Sequence, residues 1–324
     1  MAYTLDEAAK LSNDVLQAGV IELFVKDDPI LERLPFVTIV GNGLTYNTEL
    51  TEATAQFYAV GDDWVESTPT VEQATAVLRI LGGDADVDNF LKATRSNIND
   101  LKAEAIAAKV KAIKKAFMTQ FYYGYSGVDA KAFSGLHYLI SSSTYNTQAM
   151  GTAVNACEAL SMTKLEATID MIKGFTPDIM MMSKQMRRNI NTYLHTAGGI
   201  TYEDRANRRV QTVFGIPVGV SDYISDAENC NELYGATYGQ DHDEGISWTA
   251  PTDADEAATT IFILSFDPKG CCGLQSGAMT TVPIGDLEIK DASRFRIKWY
   301  VSMMLQNLLS CSKICGIENK SAAA

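Results

Sequence analysis

The sequence predicts an α+β fold, and three features carry that reading. A long amphipathic helix runs over residues 98–122. A cleanly alternating strand occupies residues 296–306. A polar, extended hairpin spans residues 36–80 near the N-terminus. Helical and strand periodicities therefore occur in separate stretches rather than in the regular βαβ alternation of a parallel-sheet protein.

In chain order, residues 5–25 read as one or two short amphipathic helices. Leu5, Ala9, Leu16, Val20, Leu23 and Phe24 make a sparse apolar stripe. Asp27-Asp28-Pro29 closes that segment, because the residue before a proline avoids the helical region. Residues 29–35 then lead into the hairpin. Residues 36–58 are rich in Thr, Val and Tyr, which favours extended backbone, yet they are too polar for a core strand. A turn at Gly61-Asp62-Asp63 separates them from a second extended run, Trp64 to Ile80. An isolated two-stranded hairpin is marginal in water. Its length is therefore expected to be stabilised by another molecule, with Leu44, Tyr46, Phe57, Tyr58 and Trp64 as the contacting side chains.

The helix at 98–122 places Ile106, Val110, Ile113, Phe117 and Phe121 on one stripe, with Lys102, Lys109, Lys111, Lys114 and Lys115 around the other side, and Gly124 stops it. A single stripe on so long a helix predicts a sheet or hairpin lying along it. Residues 127–153 read as loop-rich. Then follow a helix at 163–174 (Leu165, Ile169, Ile172), a buried strand at 179–182, and a helix at 184–194 closed by Gly198-Gly199. Residues 210–220 read as a strand broken at Pro217, an edge or a bulge. An acidic loop is expected at 229–256 and the most strand-like segment at 259–266. In the late strand, Ile297, Trp299, Val301, Met303 and Leu305 share one face. With no sequential partner in view, it is expected to pair with a strand from residues 64–88.

Charge is segregated. Residues 1–90 carry 4 Lys/Arg against 16 Asp/Glu, residues 91–214 carry 16 against 9, and residues 215–324 carry 7 against 15, for a net charge of −13. That balance argues against a nucleic-acid-gripping surface. Solvated faces explain the segregation, and so does docking of an acidic arm and hairpin on the basic surface of the next copy. Arg205, Arg208 and Arg209 form the densest basic cluster, either an exposed loop or a contact to a neighbour's acids or a nucleic-acid backbone.

Motifs for chemistry are missing: no glycine-rich dinucleotide or phosphate loop, and no nucleophile elbow. Asp84-x-Asp86-x-Asp88 resembles the start of a calcium loop, but Asn89 and Arg95 stand where Gly and Glu are required. A turn before a helix, with aspartates near its start, is the expectation. Asp241-His242-Asp243-Glu244 reads as solvated acid. Six cysteines and three histidines show no ligand spacing, so the cysteines are expected as reduced, small hydrophobes. No metal, cofactor or catalytic set is expected. No apolar run is long enough for a membrane span, and the N-terminal residues lack a secretory pattern, which points to folding in a cytoplasm.

The order of parts resembles the major capsid protein of tailed bacteriophages, the Hong Kong 97-like fold shared with encapsulins. The segments that carry the resemblance are residues 28–35 (Asp28-Pro-Ile-Leu-Glu-Arg-Leu-Pro35), residues 71–90, residues 214–222 and the final Ile314-Cys-Gly-Ile317. The resemblance implies an N-terminal arm at 1–36, anchored by Leu16, Leu23 and Phe24, and an E-loop at 37–70. It implies a peripheral domain at 71–155 and 285–312 with a spine helix at about 95–124, and an axial domain at 156–284, the end at 313–324 staying unassigned. It further implies a shell of pentamers and hexamers in the virion, assembled in a bacterial cytoplasm. Double-stranded DNA is enclosed with weak contact, and portal, scaffolding or cement proteins are partners. Some relatives crosslink through a Lys–Asn isopeptide; residues 41–70 contain no lysine, so non-covalent docking is expected. Two other readings stay open: an encapsulin-like compartment shell, and a soluble α+β enzyme with the hairpin as a lid.

Overall fold

The late strand organises the first sheet. The computed structural model describes residues 28–51, 53–95, 101–127, 129–141, 146–150, 157–197, 201–205, 208–226, 228–229 and 257–318. Its helices are α1 (Ile30–Arg33), α2 (Asn89–Arg95), α3 (Leu101–Tyr123), α4 (Leu136–Ser141), α5 (Met162–Asp170) and α6 (Lys184–Ala197). The first seven strands are β1 (Phe36–Thr38), β2 (Gly43–Thr51), β3 (Thr70–Val77), β4 (Arg79–Asp88), β5 (Thr147–Ala149), β6 (Ile179–Met182) and β7 (Thr201–Arg205). Then come β8 (Arg208–Val213), β9 (Ile216–Val220), β10 (Glu228–Asn229), β11 (Ala257–Leu264), β12 (Cys271–Gln275), β13 (Thr280–Asp286), β14 (Ala292–Leu305) and β15 (Cys311–Glu318).

The first sheet runs β1-β12-β14-β13, with β4 on the other side of β14. The β4–β14 pairing is antiparallel, from Asp88 opposite Ala292 to Arg79 opposite Val301, as the alternation of the late strand implies. Its apolar face meets the stripe of α3. Ile297, Trp299, Val301, Met303 and Leu305 share a core with Ile113, Phe117 and Phe121. The Phe117 ring lies 5.0 Å from that of Trp299. At 23 residues the helix is about 35 Å long, and it lies along β4 and β14. Gly124 ends it where no side chain fits: a Cβ there would sit 2.4 Å from the Gln120 carbonyl oxygen.

The second sheet runs β5-β15-β11-β6-β9-β8-β7, with β10 on β11. Both faces of its centre are buried. Met180, Met182, Ile261 and Ile263 pack with Leu165 of α5 and Ile190 of α6. Ile179, Met181, Phe262 and Leu264 join the core of α3 on the other face. This is why residues 179–182 and 259–266 read as unbroken apolar runs rather than alternating ones. The third element, β2 with β3, is a two-stranded antiparallel sheet of its own.

Several expectations need correction. The late strand does have a sequential neighbour: β13 pairs with it antiparallel. That strand is exposed throughout and contains Pro283 and Gly285, so neither alternation nor propensity marks it. The 210–220 segment breaks at Phe214-Gly215, both at positive φ (51° and 77°), rather than at Pro217. β9 is interior, between β6 and β8. Asp84 and Asp86 lie within β4, not in a turn. Residues 127–153 include α4 and β5. The strand β12, inside 156–284, belongs to the first sheet, while β15 carries residues 313–318 into the second. Cys271, Cys272, Cys311 and Cys315 are free and buried, as expected of small hydrophobes; Cys157 is instead disulfide-bonded. Among the described residues, no helix is long and apolar enough to cross a membrane.

Candidate subunit interface

Among the described residues, the hairpin divides into a root that packs on the first sheet and a tip that stands clear of it. At the root, Leu44, Tyr46, Ala76 and Leu78 pack against Ile39, Cys272, Leu274 and Met304 on the first sheet. The Tyr46 hydroxyl donates to the Leu305 carbonyl oxygen at 3.3 Å, and burial pushes its pKa up. Of the five candidate contact residues, Leu44 and Tyr46 are therefore occupied within the subunit.

The tip is ordered by its own polar contacts. Tyr58 stacks on Trp64 with ring centroids 4.3 Å apart. The Val65 N–H donates to the Tyr58 hydroxyl at 3.0 Å, the Ala59 N–H to an Asp62 carboxylate oxygen at 2.6 Å, and the Thr54 N–H to the Ser67 hydroxyl at 2.9 Å. A backbone turn closes from Asp62 N–H to Ala59 C=O, with Gly61 at φ +99°. Around this frame the apolar side chains point to solvent: Phe57, Val60 and Trp64 are 106%, 108% and 82% exposed. Residues 34–78 contain six Asp/Glu and neither Lys nor Arg. Among the described residues, nothing outside the tip covers the Phe and the Trp that this ordered, acidic knob displays.

Basic surface lies elsewhere on the molecule. The outer face of α3 exposes Lys111, Lys114 and Lys115 among Ala107, Ala108, Ala112 and Ala116. On α6, Lys184 is already paired with Asp222 at 2.7 Å. The backbone places Arg205 opposite Arg208, and Arg209 opposite Asp204, in the β7–β8 hairpin at the end of the second sheet. Thus the predicted arginine cluster belongs to one hairpin. The arm residues Leu16, Leu23 and Phe24 lie outside the described residues. The root of the arm is described: Asp28 accepts from the Tyr122 hydroxyl at 3.0 Å, from the Ser221 hydroxyl and from the Ile30 N–H at 2.9 Å. It ties the chain to α3 and to the second sheet at once.

Two polar groupings escaped the sequence reading. Asp86 accepts a two-bond fork from Arg294 at 2.6 and 2.7 Å, and Asp84 one from Arg296 at 2.7 and 2.8 Å. Both carboxyl pKa values are lowered, chiefly by these hydrogen bonds. Asp88 accepts from the Leu91 N–H at 3.1 Å at the start of α2. The legible signal was Asp-x-Asp facing Arg-x-Arg on two strands already expected to pair. The second grouping is buried. Glu228 accepts from the Tyr123 and Thr260 hydroxyls, both at 2.5 Å, and burial raises its pKa to about 7. Lys313, also fully buried, donates to the His137 carbonyl at 2.8 Å, and burial lowers its pKa to about 8. Both groupings tie elements together within the subunit. Among the described residues, no group of three or more His, Cys, Asp or Glu is placed to hold a metal ion.

Comparison with known proteins accords with a shell subunit. The model of the phage capsid family matches residues 10–239. Among solved structures, the holo-SrpI encapsulin complex from Synechococcus elongatus PCC 7942 superposes with a TM-score of 0.69 at 11% identity, over 100% of this chain and 99% of that one. The capsid asymmetric unit of Cyanophage A-1(L) gives 0.66 at 14%, over 95% and 98%. The capsid of a native GTA particle gives 0.62 at 11%, over 96% and 99%. At such identities these likenesses establish the fold. No curated protein matches the chain. The family match, which spans most of the chain, carries the assignment: this protein belongs to the phage capsid family and is a structural shell subunit, a major capsid protein of the bacteriophage-head type.

Proposed function

We propose that this subunit closes an icosahedral head around double-stranded DNA by non-covalent docking of its hairpin tip on a neighbouring copy. Residues 1–36 act as the arm and 37–70 as the E-loop. The first sheet with α3 as its spine makes the peripheral domain. The second sheet makes the axial domain, which meets its copies around five- and sixfold positions. The role of the subunit is structural rather than catalytic. Portal, scaffolding or cement proteins complete the particle, which assembles in the host cytoplasm.

The carrying observation is the tip itself: hydrogen-bonded within, acidic, and displaying Phe57 and Trp64 to solvent. Burying both rings would contribute roughly 3–6 kcal/mol. The lysine- and alanine-bearing face of α3 is the complementary acceptor: small apolar patches for the rings, ammonium groups for the acids. A net charge of −13 suits a lumen that holds DNA without gripping it.

Replacing residues 53–66 by a short turn should leave folded subunits that do not assemble, as read by sedimentation velocity and negative stain. Particles of normal size and yield would sink the role given to the tip. The full-length likeness to an encapsulin favours one other reading, a compartment shell with protein cargo. Nuclease-protected DNA in purified particles separates the first from the second.

A further inference from the structure

The angle of the hairpin is set at a single joint. Among the described residues, β2 and β3 pair only with each other, so no backbone ladder fixes them to either sheet. The chain enters through a bend at 40–42, where Gly41 has φ +120° and its surroundings are open, and it leaves through Leu78 alone, between β3 and β4. Leu78 N–H bonds the Asn42 carbonyl at 2.8 Å, which ties the two strands to each other but not to the body. What holds the hairpin to the body is side-chain packing. Tyr46 is its largest member, and its hydroxyl donates to the Leu305 carbonyl oxygen across the joint. Behind Tyr46 lies a cavity of about 160 Å³, with Thr75 and Val77 on the hairpin side and Phe133, Leu139 and Met303 on the body side. The joint therefore has room to move on one side.

We propose that Tyr46 is the positioning residue of assembly: wedged between the hairpin and β14, it selects one exit angle of the hairpin and so one curvature of the shell. The proposal rests on the docking of the tip on a neighbour, since an angle matters to the shell only if the tip engages. With the wedge gone, the hairpin can swing about Gly41 and Leu78 toward the cavity. Tips then meet neighbours over a range of angles, and closure to one size is lost.

Particle diameters from Tyr46→Ala, measured by negative stain and sedimentation, test this directly. The expected result is loss of the single diameter, with mixed sizes and open or tubular products, while Tyr46→Phe, which keeps the ring, retains one diameter. Leu165→Ala, in the core of the second sheet, serves as a control for stability alone; it should lower the melting temperature without broadening the diameters. Should Tyr46→Ala not fold, Tyr46→Leu, which keeps apolar volume but not the wedge, is expected to broaden the distribution in the same way. Shells of wild-type diameter and spread from a folded Ala or Leu variant would overturn the proposal. The tip replacement fails or succeeds separately: if shells form without the tip, the docking reading is at fault, not the joint.

Discussion

Tyr46, Asp84 and Glu228 show how differently single residues announce themselves. Tyr46 is visible in sequence only as an aromatic in an extended run; its task at the joint needs Met304 and Leu305, some 260 positions away. Where a turn before a helix is expected, Asp84 and Asp86 stand in a strand, and their partners stand in plain alternation as Arg294 and Arg296. Their carboxyl pKa values are depressed, so the stability these pairs contribute is present above the ordinary aspartate pKa and lost as pH falls through the lowered value. Both pairs are partly exposed, so we expect Asp86→Asn to cost little, and less still at high salt, in urea titrations. Glu228 left no trace in the sequence, because its burial comes from α3 and β11 closing over it. Its sign is opposite. A folded-state pKa raised to about 7 means that the native protein holds a proton the unfolded chain has released. The stabilisation by that proton is complete below about pH 4.3, the ordinary glutamate value, and is lost as pH rises through 7, up to ~3 kcal/mol across the window. Wild-type unfolding free energy should thus fall between pH 5 and 7.5 and that of Glu228→Gln should not. Lys313, lowered to about 8, changes stability in the other direction and only above that window. A flat wild-type profile would refute the assignment.

Among elements, those with a strict period were legible and those shaped by exceptions were not. The stripe of α3 emerged because Ile113, Phe117 and Phe121 follow a helical spacing that a single sheet can bury. The helix is described from Leu101, and the expected start at 98 lies outside the described residues. Truncating the centre of that stripe is a direct measure of its weight. Phe117 is wholly buried against Phe36, Phe133 and Trp299, and Phe117→Ala should destabilise by about 3–5 kcal/mol in denaturant titrations. A loss near zero would mean that the helix is held by its ends rather than by this face. β13 was missed for the reverse reason: an edge strand exposed along its whole length, with Pro283 and a bulge before Gly285, carries no alternation to read. The break in the 208–220 hairpin went to Pro217 on the expectation that proline interrupts strands. A left-handed Phe214-Gly215 pair made the turn instead, and Pro217 was accommodated inside β9.

For the whole molecule, charge segregation and fold agree on a division that the sequence could only suggest. Asp62, Asp63, Glu66 and Glu72 stand exposed on the hairpin, and lysines of the middle third stand on the outer face of α3. In the proposed docking, the two meet between neighbouring copies. If that docking is electrostatic as well as apolar, assembly has a defined salt response. Exposed charges interact over about 10 Å at 0.1 M ionic strength and about 3 Å at 1 M. The rate of light-scattering growth should therefore fall across that range, whereas a purely apolar tip would assemble equally well or better. Charge reversal is the sharper form of the test. Lys111→Glu with Lys114→Glu should slow assembly at low salt, and adding Asp62→Lys with Asp63→Lys should restore it, since both partners then carry exchanged signs. Recovery in the fourfold variant would place the tip on the α3 face. No slowing on Lys111→Glu with Lys114→Glu would locate the acceptor elsewhere on the neighbour.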